Sequence, residues 1–199
     1  MKTNAGSVAG SLRTGALIKG TATRGFTLIE VLITIAIASI LLTIAIPSFR
    51  YVTNSNRIAG EVNGLLGDLQ FARAEAIKEG RTVTVCTSVD GASCANVTTW
   101  QSGWIVFSDP TDVGVVDPGE TILRQQATFS STDTFNASNG VSAITFNRDG
   151  YAIGIANGTL LELHDSTNTS AWTRCLVVNL SGEMTTELYN VTTNGVTCT

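Results

Sequence analysis

The sequence predicts an α+β fold: one long N-terminal α-helix, transmembrane in its first half and amphipathic in its second, packed on an antiparallel β-sheet domain. Three observations predict it. From Phe26 to Ile46 the chain runs 21 residues with Glu30 as the only ionisable side chain. Ile58, Val62, Leu65, Leu69, Ala72 and Ala76 then recur at alternating steps of four and three, an apolar stripe on one helix face. After Arg81 the period changes to two, in short runs separated by turn signals.

The segment ahead of the apolar run is basic. Residues 1–25 carry Lys2, Arg13, Lys19 and Arg24 and no acids, a cytoplasmic leader that leaves everything after Pro47 on the far side of the membrane. A helix of 21 residues spans about 31 Å, close to the hydrocarbon thickness of a bilayer. Ala36-Ile37-Ala38 could pass for a secretory cleavage site, but the apolar run continues to Ile46 and outlasts a signal core. A plain anchor leaves Glu30 without a role. A carboxylate in lipid costs roughly 2.5–3.5 kcal/mol at the helix centre and less near the end. Nothing in the segment offers it a partner, so the partner is expected outside the chain.

Past Pro47 the helix resumes, with Arg57, Asn63, Asp68, Arg73, Glu75 and Lys78 off the stripe. Gly60, Gly64 and Gly67 weaken it, each by about 1 kcal/mol relative to alanine. Gly80 follows the last periodic residue as a C-terminal stop. The expectation is one helix from Phe26 to about Glu79, bent or loosened near Pro47, with its second half laid on a sheet. Strands are expected around Val83–Val85, Trp104–Phe107, Thr121–Arg124, Val141–Phe146, Tyr151–Ile155, Thr159–Leu163, Arg174–Val178 and Glu183–Tyr189, seven or eight in all. Asn147-Arg148-Asp149-Gly150 and Ala156-Asn157-Gly158 mark turns between them.

Charge and cysteine usage narrow the partners. Without the leader's four cations, 8 Lys/Arg stand against 16 Asp/Glu, a formal charge of −8. Such a chain gets no long-range help in approaching DNA or anionic lipid. The four cysteines, Cys86, Cys94, Cys175 and Cys198, favour disulfides in an exported domain. Three connectivities are possible, and local spacing favours Cys86–Cys94 and Cys175–Cys198. Neither those spacings nor the single His164 makes a zinc site.

Other constellations have plain readings. Asp109, Asp112, Asp117 and Glu120 could ligate calcium, but their spacing is not that of an EF-hand loop, and a solvated acidic turn is the simpler reading. Asn-x-Ser/Thr triplets at Asn96, Asn136, Asn157, Asn168, Asn179 and Asn190 are expected by chance in so Asn- and Thr-rich a chain. Trp100, Trp104 and Trp172 read as core or interface aromatics. His164-Asp165 lacks a nucleophile and no phosphate loop is present, so no enzyme activity and no cofactor are expected.

Gly25-Phe26-Thr27-Leu28-Ile29-Glu30 resembles the processing motif of type IV pilins and type II secretion pseudopilins. The resemblance implies that a prepilin peptidase cuts after Gly25 and methylates Phe26. It also makes Glu30 and Pro47 assembly positions. Further fragments, in order, resemble the FimT/FimU/GspH family of minor pilins and pseudopilins: Ala72 to Ile77, Val85-Cys86, Trp100, Gly103 to Asp109, Ile122-Leu123-Arg124, Phe146 to Gly150 and Cys175 to Val178. Where relatives implicated in DNA uptake carry a glycine followed by arginines, Leu180-Ser181-Gly182-Glu183-Met184-Thr185 keeps the glycine and places Glu183 next. A carboxylate repels phosphate, so DNA binding is expected to be absent or weak.

The resemblance implies a leader over 1–25, a transmembrane and polymerisation helix over 26–52 and an exported GspH/FimT-like domain over 53–199. It implies a single-pass protein of the bacterial inner membrane, its C-terminal domain periplasmic, that later enters a fibre. The expected partners are prepilin peptidase, other minor and major pilins or pseudopilins, and the inner membrane. The expected function is that of a minor pilin at the tip of a type IV pilus, priming assembly. A minor pseudopilin of a type II secretion system and a DNA-uptake pilin are the alternatives.

Overall fold

The computed structural model describes residues 25–110, 114–193 and 195–199. Lys2, Arg13, Lys19, Arg24 and Asp112 lie outside the described residues. The chain divides into two compact units, one ending at Ala45 and one covering Ile46–Thr199.

Helix α1 runs Leu28–Glu79 and is assigned without interruption through Pro47. Thr27 opens it: its hydroxyl accepts the Glu30 N–H at 3.3 Å, satisfying one of the first turn's free donors. In the first unit every described residue is exposed, and this stretch is long and apolar enough to cross a membrane. Its hydroxyls are satisfied internally. Thr34, Ser39 and Thr43 donate to the carbonyls of Val31, Ala36 and Ile40 at 2.8, 2.8 and 2.7 Å, which removes the penalty of a bare hydroxyl in lipid.

In the second unit the buried residues of α1 are Ile58, Val62, Leu65, Leu69, Ala72 and Ala76, the stripe that the spacing predicts. Gly80, at φ +68°, ends the helix. Its N–H and that of Arg81 converge on the Ala76 carbonyl at 3.0 and 3.3 Å, closing the last turn in a left-handed cap that glycine adopts without strain.

Eleven strands follow among the described residues: β1 (Val83–Thr87), β2 (Trp104–Ser108), β3 (Ile122–Gln126), β4 (Thr134–Ala137), β5 (Ala143–Phe146), β6 (Ala152–Ile153), β7 (Thr159–His164), β8 (Arg174–Val178), β9 (Met184–Leu188), β10 (Thr192–Thr193) and β11 (Val196–Thr197). They form a five-stranded sheet in the order β3-β2-β1-β5-β6, a four-stranded sheet β4-β7-β8-β9 and a ribbon β10-β11. Every pairing is antiparallel.

One core joins the helix stripe to the inward residues of both larger sheets. Val83, Val85, Trp104, Val106, Ile144 and Phe146 come from the five-stranded sheet, and Phe135, Leu161, Leu163, Leu176 and Val178 from the four-stranded one. Asp68 fixes the helix against the first sheet. It accepts from the Trp104 indole at 2.8 Å and from Arg124 Nη1 at 2.9 Å, while the Arg124 guanidinium lies 3.8 Å over the Phe71 ring.

The outer faces of the sheets are also covered. Cys86, Ile105 and Phe107 form a second cluster on the five-stranded sheet with Cys94, Val116 and Ala143 packed against it. Leu160, Cys175, Val177 and Cys198 form a third on the other sheet. Each cluster holds a disulfide: Cys86–Cys94, closing 8 residues, and Cys175–Cys198, closing 23. The bridges tie a loop and the C-terminal tail to strands β1 and β8.

The structure differs from the expected seven or eight strands at three places, one of them the short ribbon of β10 and β11, which follows the last expected strand. Strand β4 was not anticipated, because Phe135 is the single fully buried residue of its four and leaves no period to read. The strand expected over Tyr151–Ile155 shortens to Ala152–Ile153.

Candidate functional site

Two regions bear on function: the exposed N-terminal run and the corner where the last large sheet turns at Gly182. In the first, Phe26 is 79% exposed and precedes the helix. A side chain built on Gly25 would meet nothing within 4 Å. The fold itself therefore makes no demand for glycine at that position. The Glu30 carboxylate has no hydrogen-bonding or ionic partner among the described residues, although its place in the first turn suits the positive end of the helix dipole.

Gly182 is held by the opposite logic. In the turn between β8 and β9, the Gly182 N–H donates to the Asn179 carbonyl at 2.9 Å and the Asn179 N–H to Glu183 O at 3.0 Å. Gly182 sits at φ +76°, and a Cβ there would fall 2.1 Å from the Gly150 carbonyl oxygen and 2.8 Å from Arg73 Nε. Arg73 ties three distant parts of the chain together, donating from Nε to Gly150 O at 2.9 Å and from Nη2 to Ser181 O at 3.3 Å. The glycine of this corner is thus required by close packing of backbone on backbone.

Beside it Glu183 is exposed, while Thr185 is half-buried with its hydroxyl covered and unpartnered. Glu183, Gly182 and Met184 face Gln70, Arg73, Ala74 and Ile77 of α1 across a cleft of about 500 Å³. The domain's other cations are largely committed elsewhere. Arg57 holds Asp133, whose side chain is fully buried, through Nε and Nη2, both at 2.8 Å. Arg81 pairs with Glu79 and Arg124 with Asp68. Arg174 donates to the carbonyls of Ala171 and Thr173. Arg148 is exposed at a turn. Among the described residues these cations form no basic groove.

A carboxylate cluster lies behind the Arg57–Asp133 pair. Glu61 accepts from the Ser131 hydroxyl at 2.9 Å and leaves Oε2 covered without a partner. Burial pushes its carboxyl above the ordinary range; the Ser131 hydrogen bond opposes the rise and the nearby Asp133 charge adds to it.

The remaining candidates separate. Asp109 belongs to no solvated acidic turn: it is buried, accepting at Oδ2 from Thr84 Oγ1 and the Gly114 N–H, both at 2.7 Å. Thr84 in turn meets Thr145 at 2.6 Å, a polar link beneath the outer cluster that strand alternation alone does not reveal. No three His, Cys, Asp or Glu side chains among the described residues are grouped to hold a metal ion. His164 Nδ1 contacts the Thr173 hydroxyl at 3.2 Å. Trp100 and Trp104 are buried, and Trp172 is partly exposed against Tyr51.

Comparison with known proteins places this arrangement. Residues 61–182 match the family model described as type II transport protein GspH, and residues 21–46 match the prokaryotic N-terminal methylation motif. The fold is similar to that of the type IV minor pilin FimU of Pseudomonas aeruginosa (strain PAO1) in two crystal forms. One shares 20% identity and a TM-score of 0.53 over 70% of this chain and 92% of that one. The other shares 22% identity and a TM-score of 0.49 over 66% of this chain and 91% of that one. Among curated proteins, none matches the chain.

Proposed function

The chain belongs to the GspH family, as a type IV pilin-like minor pilin or pseudopilin, and on that premise we propose that it is a minor pilin that primes assembly at the tip of a type IV pilus. The observation that carries the reading is the contrast along one helix. Its buried residues all lie between Ile58 and Ala76. The large apolar residues of Phe26–Ile46 are exposed and in this reading pack in a bilayer first and against other subunits afterwards.

In this reading the leader, 1–25, is removed after Gly25 by prepilin peptidase and Phe26 becomes the methylated N-terminus. The helix of 26–52 holds the subunit in the inner membrane with the domain of 53–199 on the periplasmic side. Glu30 then neutralises the N-terminal ammonium of a neighbouring subunit's Phe26, which spares both groups an unpaired burial. Pro47 removes one N–H from the helix ladder where the apolar run ends. The role is structural and not enzymatic.

Glu30→Ala tests the pairing. We expect it to be cleaved and inserted normally yet incorporated into fibres roughly tenfold less or worse, the effect of stranding one buried charge. Normal incorporation would contradict the pairing. One observation favours a second reading, a minor pseudopilin: the matching family is described as a type II transport protein. Deleting the chain from its host and scoring surface pili against protein secretion separates the two.

A further inference from the structure

We propose that the outer edge of β9 is a docking edge for an extended segment of another protein, one carrying two lysine or arginine side chains four residues apart. The edges of the two larger sheets are not alike. Strand β6 has two residues, and β3 meets β2 through a break in register at Val106/Phe107. The far side of β4 is already engaged, by a bridge from Asn136 to Thr99 and by the Ala137 N–H donating to Thr98 O at 3.1 Å. Strand β9 offers five residues, Met184–Leu188, in unbroken register with β8, and no described strand pairs with its other side. Within it there is no proline, lysine or bulge to keep a foreign strand off.

Hydrogen-bond parity identifies the unpaired groups. The Asn179 N–H donates to Glu183 O at 3.0 Å and closes the turn between β8 and β9. Antiparallel strands alternate bonded and non-bonded pairs. With Val178 opposite Met184 and Leu176 opposite Thr186, the N–H and C=O of Met184 and Thr186 therefore point away from β8. Leu176 and Val178 belong to the core, which puts Met184 and Thr186 on the α1 side of the strand. Clefts of about 500 and 150 Å³ lie there between β9 and α1, so a docked strand gains backbone partners and room for side chains of modest size. The other face supplies charge. Glu183, Thr185 and Glu187 alternate along it, and neither glutamate belongs to an ion pair among the described residues. Glu187 accepts from the Thr193 hydroxyl at 2.8 Å, and the nearby Arg73 and Arg174 are held by backbone carbonyls. Side chains directly opposite in an antiparallel pair are coupled by their charge, so cations four residues apart match Glu183 and Glu187. A second copy does not match: β9 paired with itself about Thr185 sets each Glu183 against a Glu187.

The test titrates the full chain in detergent micelles with a synthetic peptide, Thr-Lys-Val-Thr-Val-Lys-Thr, and with its counterpart bearing Glu in place of Lys, and reads amide exchange along β9. The lysine peptide should slow exchange at Met184 and Thr186 and bind about tenfold tighter than the glutamate peptide, an advantage that added salt erodes. The double variant Glu183→Lys/Glu187→Lys should invert the preference. Thr186→Pro removes an N–H that β8 does not use, so it should leave the melting temperature near the parent's and abolish binding. Equal binding of both peptides, binding of neither, or binding that survives Thr186→Pro overturns the proposal. Slowed exchange in the chain alone that grows with its concentration overturns it in favour of a second copy. A Thr186→Pro chain that fails to fold overturns the unpaired edge itself, whatever the peptides do.

Discussion

Gly25 and Gly182 carry opposite kinds of constraint. Gly182 is fixed by the fold, with a positive φ and a carbonyl oxygen 2.1 Å from where a Cβ would sit. Gly182→Ala is expected to destabilise the domain by about 2–4 kcal/mol, read as a fall in the unfolding midpoint. Gly25 has open space around it, so Gly25→Val should leave the midpoint unchanged while blocking removal of the leader. At Glu61 the sign is set by titration. Its folded-state carboxyl is raised, by burial first and by Asp133. The folded state therefore holds this proton more tightly than the unfolded one. The favourable contribution is present below the ordinary carboxylate range and is lost as pH rises through the raised value. Glu61→Gln keeps an acceptor for Ser131 and removes that pH dependence. It should raise the melting temperature at neutral pH relative to the parent, with the difference vanishing near pH 4; an equal shift at both pH values would contradict the assignment.

At the scale of elements, α1 was legible because packing left its period in the sequence. All six stripe residues are its buried residues. Leu69→Ala should cost about 2–5 kcal/mol by chemical denaturation, whereas Leu32→Ala, on the exposed run, should leave domain stability within about 0.5 kcal/mol. Strand β4 was illegible because one buried aromatic makes no pattern. The buried Thr84–Asp109–Thr145 link was illegible for another reason: the partners are 25 and 61 residues from Thr84 and meet only once the strands are in register. The Gly182 corner shows both cases. Its glycine stood out in the sequence, but its cause, the approach of Gly150 and Arg73, lies in tertiary packing. The disulfides are element-scale staples. Cys175–Cys198 closes 23 residues and Cys86–Cys94 closes 8, which in the chain-entropy model contribute about 3 and 2.5 kcal/mol. Cys198→Ser should therefore lower stability by at least as much as Cys94→Ser, with the C-terminal tail alone gaining hydrogen exchange in the first variant.

For the whole molecule, charge sets the partners. Residues 26–199 carry 8 Lys/Arg against 16 Asp/Glu, a formal charge of −8, and most described arginines of the domain are held by carboxylates or carbonyls. The full chain in detergent should bind duplex DNA no better than roughly 10⁻⁴ M at physiological salt. Glu183→Arg, at an exposed position, should tighten binding and steepen its salt dependence by about one phosphate contact; micromolar, steeply salt-dependent binding by the unmodified chain would make it a DNA receptor instead. The central claim is that Phe26–Ile46 serves first as a membrane anchor and then as an assembly helix beginning at a processed N-terminus. Mass spectrometry of the N-terminal peptide, on chain recovered from the membranes of a host with prepilin peptidase, tests it most directly. The account predicts a peptide beginning at N-methylated Phe26. An intact leader, or a chain beginning after Ala38, would contradict it.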